Sequence, residues 1–445
     1  MSNHKSSRQE MDRRDFLKTT GAGLAALSFP VPLGTLGTTQ RRRAGETPVF
    51  VCLFLRGGMD VLNCIVPYKD KRYYEFRPTI ALAPKKTQDE EGVIPLDKTF
   101  AMHPAMRPLE ELYKSGDFAP IICCGSPHPT RSHFDAQDFM DYAAPGIRTI
   151  TNGWLNRYLK QSQDRHGKDG KLRALALQGL LPRSLRGDYP VLAVPGERRR
   201  STDTGQLLDL FDELYKDPKK TGMKADPGKS GKHRMGRRKR PEDREDAVIH
   251  SGEVTIQALR RYKEIQARVG KSRAPYPKNG FGPKLEGIAR VIKSGEPMEV
   301  AAADWNGWDH HINEGNVDGR IALMLGSLSQ SLLAFMKDIG EHRKRTVVLV
   351  MTEFGRTCRE NGNRGTDHGH GGLMLSLGGP IQGGKIYGRW PGLEDKDLNQ
   401  NRDLAVTTDF RDVFNEVLRK HMEVKRLSKD FFPNYKPGKG PGILS

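Results

Sequence analysis

Val347-Val348-Leu349-Val350-Met351-Thr352-Glu353-Phe354-Gly355-Arg356-Thr357, followed ten residues on by Asp367-His368-Gly369-His370-Gly371-Gly372, is the stretch on which the reading of this chain turns. Its apolar, largely β-branched start predicts a strand buried on both faces, as in a parallel sheet covered by helices. The strand ends in a carboxylate, a glycine and an arginine, and a His-Gly-His with its own acid comes soon after. Ligands of open α/β sheets sit beyond the C-terminal ends of the strands. Polar residues at that position therefore form a candidate site, and the rest of the chain is read for its partners.

Upstream, Pro48–Leu55 reads as a first strand ending in Arg56-Gly57-Gly58-Met59-Asp60, where the glycine pair permits a tight turn. Phe118–Gly125 reads as a second buried strand, leading through Thr130-Arg131-Ser132-His133 into a helical pattern. Ser132 is a helix cap or a nucleophile at a helix N-terminus, and Arg131 beside it suits a bidentate contact to phosphate or sulfate. Further elements are a helix from Gly153, strands at 172–177 and 297–303, a helix over 320–342, a strand at 373–377, and a helix capped by Asp409. After the 297–303 strand comes Asp304-Trp305-Asn306-Gly307-Trp308-Asp309-His310-His311. Two acids and two histidines within eight residues concentrate metal-ligand types. Four of the thirteen histidines fall in this cluster and in 368–370, which favours a site over isolated structural imidazoles. Carboxylates mixed with imidazoles suit zinc, manganese or iron, and an oxygen-rich subset suits calcium or magnesium.

The net charge of +19 would signal nucleic acid if it were spread over the chain. It is local: residues 1–43 carry +5 and residues 216–240 carry +9, leaving about +5 for everything else. No nucleic-acid face is expected. Arg13-Arg14-Asp15-Phe16-Leu17-Lys18 and the weakly apolar Gly/Ala stretch behind it have the layout of a twin-arginine export signal. That layout implies the Tat translocon as a transient partner and a periplasmic or envelope location. No apolar run of about 18 residues is seen, so no membrane span is expected. Residues 44–433 read as one domain with an insertion at 182–277, including a disordered basic run over 216–240, and 434–445 as a loose tail. The five cysteines form no C-x-x-C pair, and three lie in strand-like runs where a thiol acts as a small hydrophobe.

Together, Arg56-Gly-Gly-Met-Asp60, Arg131-Ser-His-Phe134, Asn306-Gly-Trp-Asp-His-His311, Thr352-Glu-Phe-Gly-Arg356 and Asp367-His-Gly-His-Gly371 resemble the exported DUF1501 family. Their order resembles the wider alkaline phosphatase/sulfatase superfamily. That resemblance implies a doubly wound, mostly parallel α/β sheet flanked by helices, with a metal centre of one or two divalent ions, zinc, manganese or calcium. It implies Asp60 and Ser132 at one metal, Asp304 with His310 or His311 at another, and Glu353 with His368 or His370 completing the set. Glu353-Phe354 departs from the expected Asp-His pair, and the gap from Asp304 to His310 is long, so Asp309, His311 or the second histidine of 368/370 fills in, or only one metal binds. The implied activity is hydrolysis of phosphate or sulfate monoesters, with Ser132 as nucleophile assisted by Arg131 and Arg356. The partner would be a small anionic ester or a polyanion. The alternative is a non-catalytic envelope binding or scaffold protein that keeps the fold.

Overall fold

The computed structural model describes residues 47–85, 91–163, 172–194 and 257–445. The twin-arginine segment and the basic run at 216–240 lie outside the described residues. Eight strands form the central sheet: β1 Val49–Arg56, β2 Phe118–Gly125, β3 Ala174–Ala176, β4 Leu192–Ala193, β5 Val300–Asn306, β6 Thr346–Thr352, β7 Gly372–Leu377 and β8 Thr408–Asp409. Their spatial order is β8-β2-β7-β6-β1-β5-β3-β4. Every strand runs the same way except β7, which is antiparallel to both β2 and β6.

The exception has a simple cause. The loop 353–371 leaves β6 at its C-terminal end and returns to the sheet at that same edge, so no crossover is made and the next strand must run backwards. The N-terminus of β7 thereby lies beside the C-termini of the other strands.

β1 and β6 sit at the centre and are buried along nearly their whole length. Alternate residues of β1 feed two separate cores. Val49, Val51, Leu53 and Leu55 pack with helices α3 (Gly282–Lys293) and α4 (Gly319–Asp338). Phe50, Cys52 and Phe54 face the other layer, where Trp154 of α2 (Trp154–Gln161) stacks on Phe414 of α5 (Phe410–Glu416) with ring centroids 4.0 Å apart. Helices on both faces explain why these strands are continuous apolar runs.

Two expectations are corrected. By length and composition α4 is apolar enough to cross a membrane, although no such run was expected; more than half of its apolar window is buried here, with Ile321, Leu325, Leu328 and Phe335 in the core. The tail is not loose. Ile443 and Leu444 are buried, Gln382 N–H donates to the Ile443 carbonyl, and Glu416 accepts from the Gly442 and Leu444 amides. Proline and glycine made the tail read as unstructured, and two apolar residues at its end fasten it. All five cysteines are free and buried, as small core residues.

Candidate metal centre

The register places the site. Leu55 pairs with Thr352 and Arg56 with Asn306, so β1, β5 and β6 end level, and their next residues meet. Gly57 adopts φ +130°, and a Cβ there would lie 2.5 Å from the Asp309 amide nitrogen. The loop after β5 thus lies directly on the turn after β1, which brings Asp309 to the middle of the edge. The loop 353–371 is fastened to it by Thr366 N–H donating to the His310 carbonyl at 3.0 Å and Asn361 Nδ2 to the His311 carbonyl at 3.0 Å. Helix α1 (His133–Asp141) starts over the same spot.

Three imidazoles converge on the Asp309 carboxylate. His311 Nε2 is 2.9 Å and His368 Nε2 3.2 Å from Oδ1, and His133 Nε2 is 3.3 Å from Oδ2. His311 Nε2 and His368 Nε2 are 3.0 Å apart. The opposite side of each ring is held. His133 Nδ1 lies 2.8 Å from Glu353 Oε1, His311 Nδ1 2.9 Å from Asp367 Oδ1, and His368 Nδ1 2.8 Å from the Arg131 carbonyl. A carboxylate or carbonyl oxygen only accepts, so each Nδ1 carries the hydrogen and each neutral ring turns an Nε2 lone pair inward. Three lone pairs and a carboxylate facing one another repel unless protons or a cation lie among them. Anchoring of Nδ1 by an oxygen is the usual support of a metal-ligating histidine. Tetrahedral ligand atoms at about 2.1 Å from an ion are about 3.4 Å apart, close to the spacings here. His133, Asp309 and His368 all present ligand atoms within 4.8 Å of one another. These three fit one cation, and His311 Nε2 stands beside them, 2.9 Å from Asp309 Oδ1.

The electrostatics match. The Glu353 carboxylate on its Nδ1 pulls the His133 pKa up against burial, with Asp309 adding to it. Burial lowers His368, and the neighbouring His133 and Arg356 charges lower it further. Burial would raise Asp309, but Arg356 hydrogen-bonded to it, with His311 and His133, holds it below the ordinary carboxylate range. Glu353 is fully buried yet also lowered, because His133 and Gln137 bond to it. Phe354, which stands where a histidine was expected, packs its ring 5.0 Å from His133 and 5.1 Å from His368.

Of the residues expected at the site, Asp309, His311 and His368 come together. Glu353 stands behind them: its Oε1 accepts from Gly57 N–H, His133 and Gln137. Arg356, also buried, bonds Asp309 Oδ1 at 2.7 Å. Ser132 is exposed at the N-cap of α1 without a capping bond, between Arg131, whose carbonyl holds His368, and His133. The Arg131 guanidinium is paired with Asp403. The structure does not bring Asp60, Asp304, His310 or His370 to the cluster. Both Asp60 oxygens accept from the buried Arg77. Asp304 Oδ2 lies 2.8 Å from Arg56 Nε. His310 is buried, its ring centroid 6.3 Å from that of Trp308, and burial lowers its pKa to about 4. His370 lies among the charges of Asp403, Arg131 and His128.

Sequence reasoning passed over His133, Asp367, Gln137 and Arg77. His133 does carry a signal in the sequence, since it follows Arg131 and Ser132 in a loop at a strand's C-terminal end. Asp367 reads in the sequence only as the acid of the His-Gly-His motif. Arg77 carries no local signal.

Among curated proteins no sequence matches this chain. Solved structures similar to it include the PsFucS1 sulfatase from Pseudoalteromonas sp., 12% identical, covering 84% of this chain and 68% of that one with a TM-score of 0.36. A putative sulfatase from Bacteroides thetaiotaomicron is 11% identical, covering 86% and 72%, with a TM-score of 0.30. The C-terminal periplasmic domain of EcEptC from Escherichia coli, solved in complex with Zn, is 9% identical, covering 77% of each chain, with a TM-score of 0.30. Residues 260–430, which hold Asp309, His311, Glu353, Arg356 and His368, match one family, the protein of unknown function DUF1501, so the resemblance carried by the motifs holds over this C-terminal part of the chain.

Proposed function

We propose that this protein is an exported metal-dependent hydrolase of sulfate or phosphate monoesters. The observation that carries the reading is the convergence of three Nδ1-anchored imidazoles on Asp309. A nitrogen-rich set with one carboxylate favours zinc or manganese over calcium. A bound cation supplies Lewis acidity, lowering the pKa of a nearby hydroxyl and drawing charge from an ester oxygen. Asp309, His133, His311 and His368 would hold it. Glu353, Asp367 and the Arg131 carbonyl keep the rings in place, and Arg356 fixes Asp309. Ser132 is the nucleophile: its hydroxyl is exposed, makes no capping bond, and sits on the short segment that carries both His133 and the His368 anchor. The twin-arginine leader supports export by the Tat route to the periplasm or envelope.

The test is hydrolysis of aryl sulfate and aryl phosphate esters by protein loaded with zinc or manganese. Loss of turnover in Ser132→Ala with metal content unchanged is the expected result. Equal turnover in Ser132→Ala rejects the nucleophile, and no turnover in the loaded wild type leaves the binding or scaffold alternative.

A further inference from the structure

The superfamily resemblance puts Asp60 at one cation and Asp304, with His310 or His311, at another, and Asp60, Asp304 and His310 all lie outside the Asp309 cluster. The structure commits those residues elsewhere. Asp60 is 2% exposed and lies against Arg77, itself fully buried. All five N–H groups of Arg77 are used: Nε to the Cys358 carbonyl at 2.9 Å, Nη1 to Asp60 Oδ2 and Asn63 Oδ1, Nη2 to Asp60 Oδ1 at 2.8 Å and the Thr357 carbonyl at 3.1 Å. The guanidinium is thus a tethered cation whose position is fixed from three sides. Removing it would leave a buried carboxylate unpaired, and burial with Asp60 beside it already drives the Glu314 carboxyl well above its ordinary range. Asp304 is likewise taken. Its Oδ2 faces Arg56 Nε at 2.8 Å and Gln178 Nε2 at 3.2 Å, while Arg56 also bonds Asp141 at 3.0 Å. Among the described residues, neither ring nitrogen of His310 hydrogen-bonds to Asp60 or Asp304.

We propose that this chain binds a single divalent cation, at Asp309 with His133, His311 and His368, and that Arg77 and Arg56 stand on the carboxylates a second cation would need. The inference rests on the metal-dependent reading above and goes beyond it by fixing the number of ions and the residues that exclude another. Arg77 holds both oxygens of Asp60, and Arg56 holds Oδ2 of Asp304.

The experiment is total-metal analysis of the purified full chain after equilibration with Zn2+ alone and with Mn2+ alone, followed by removal of free ion. The expected result is one equivalent per chain, lost in the Asp309→Asn, His368→Asn double variant. The paired substitution Asp60→Asn, Arg77→Met removes both buried charges together, and with circular dichroism confirming its fold it is expected to keep that one equivalent. Two equivalents in the wild type overturn the inference and leave the hydrolase reading standing. One equivalent that survives loss of Asp309 and His368, or that disappears from the folded Asp60/Arg77 variant, also overturns it. No bound metal rejects both this inference and the reading it rests on.

Discussion

Glu353 Oε1 accepts from the Gly57 amide at 2.8 Å, from His133 Nδ1 at 2.8 Å and from Gln137 Nε2 at 2.9 Å. One buried oxygen therefore sets the turn after β1, the tautomer of His133 and the placement of Gln137 in α1. Glu353→Gln removes the charge while keeping the shape, so metal affinity is expected to fall roughly 10- to 100-fold, as for other supporting groups of this kind. Competition with a chelator measures it. Asp367 is half-exposed, so Asp367→Asn is expected to cost less, on the same assay. The clusters 309–311 and 367–370 were visible in the sequence because ligand types crowd there. Their division of labour was not: neighbouring residues on a loop point different ways, so His311 and His368 enter the centre while His310 and His370 do not. Asp60 was legible as a strand-end acid, but the arginine that claims it lies 17 residues on and is marked by nothing in its surroundings.

At the scale of elements, Gly57 is the position where two loops touch. Any side chain there meets backbone: the Cβ would be 2.5 Å from the Asp309 nitrogen and 2.8 Å from the Trp308 carbonyl carbon, at a φ of +130°. Gly57→Ala is expected to destabilise the fold by about 1–3 kcal/mol through backbone strain alone. It should also push Asp309 out of the centre, so the variant loses metal affinity along with thermal stability. A variant that melts normally and binds metal normally would contradict this account. The strands themselves were legible, since burial on both faces leaves uninterrupted apolar runs at 49–55, 118–125 and 346–352. The reversed direction of β7 was not, because a strand reads the same in either direction and only the length and path of the preceding loop decide.

Across the whole molecule, two histidines far from the centre make stability depend on pH. His103 accepts from the Ala105 amide through Nδ1 and reaches the Asn316 carbonyl through Nε2. A proton added to Nδ1 would face a donor. Burial lowers the pKa of His103 to about 4, and that of His421, which is bonded to the Val49 carbonyl, also to about 4. The unfolded chain takes up these protons near pH 6.5 and the folded one only near 4, so stability falls as pH drops through that window. Each histidine contributes up to about 3 kcal/mol of that loss. Denaturant midpoints between pH 7 and 4 should show it, with a shallower slope in His103→Gln. The docked tail gives another whole-molecule test. Deleting residues 441–445 removes the buried Ile443 and Leu444, and each fully buried aliphatic side chain is worth about 1.5–3 kcal/mol, so the truncated protein should melt several degrees lower.

The centre draws on α1 near residue 133, on the loop at 309–311, on the end of β6 and on the loop before β7. A nascent chain leaving the ribosome has no such pocket until His368 has emerged and β6 has slotted in beside β1. Assembly of the centre thus requires β1, β5 and β6 together with the chain through His368, and a product truncated before that residue lacks it.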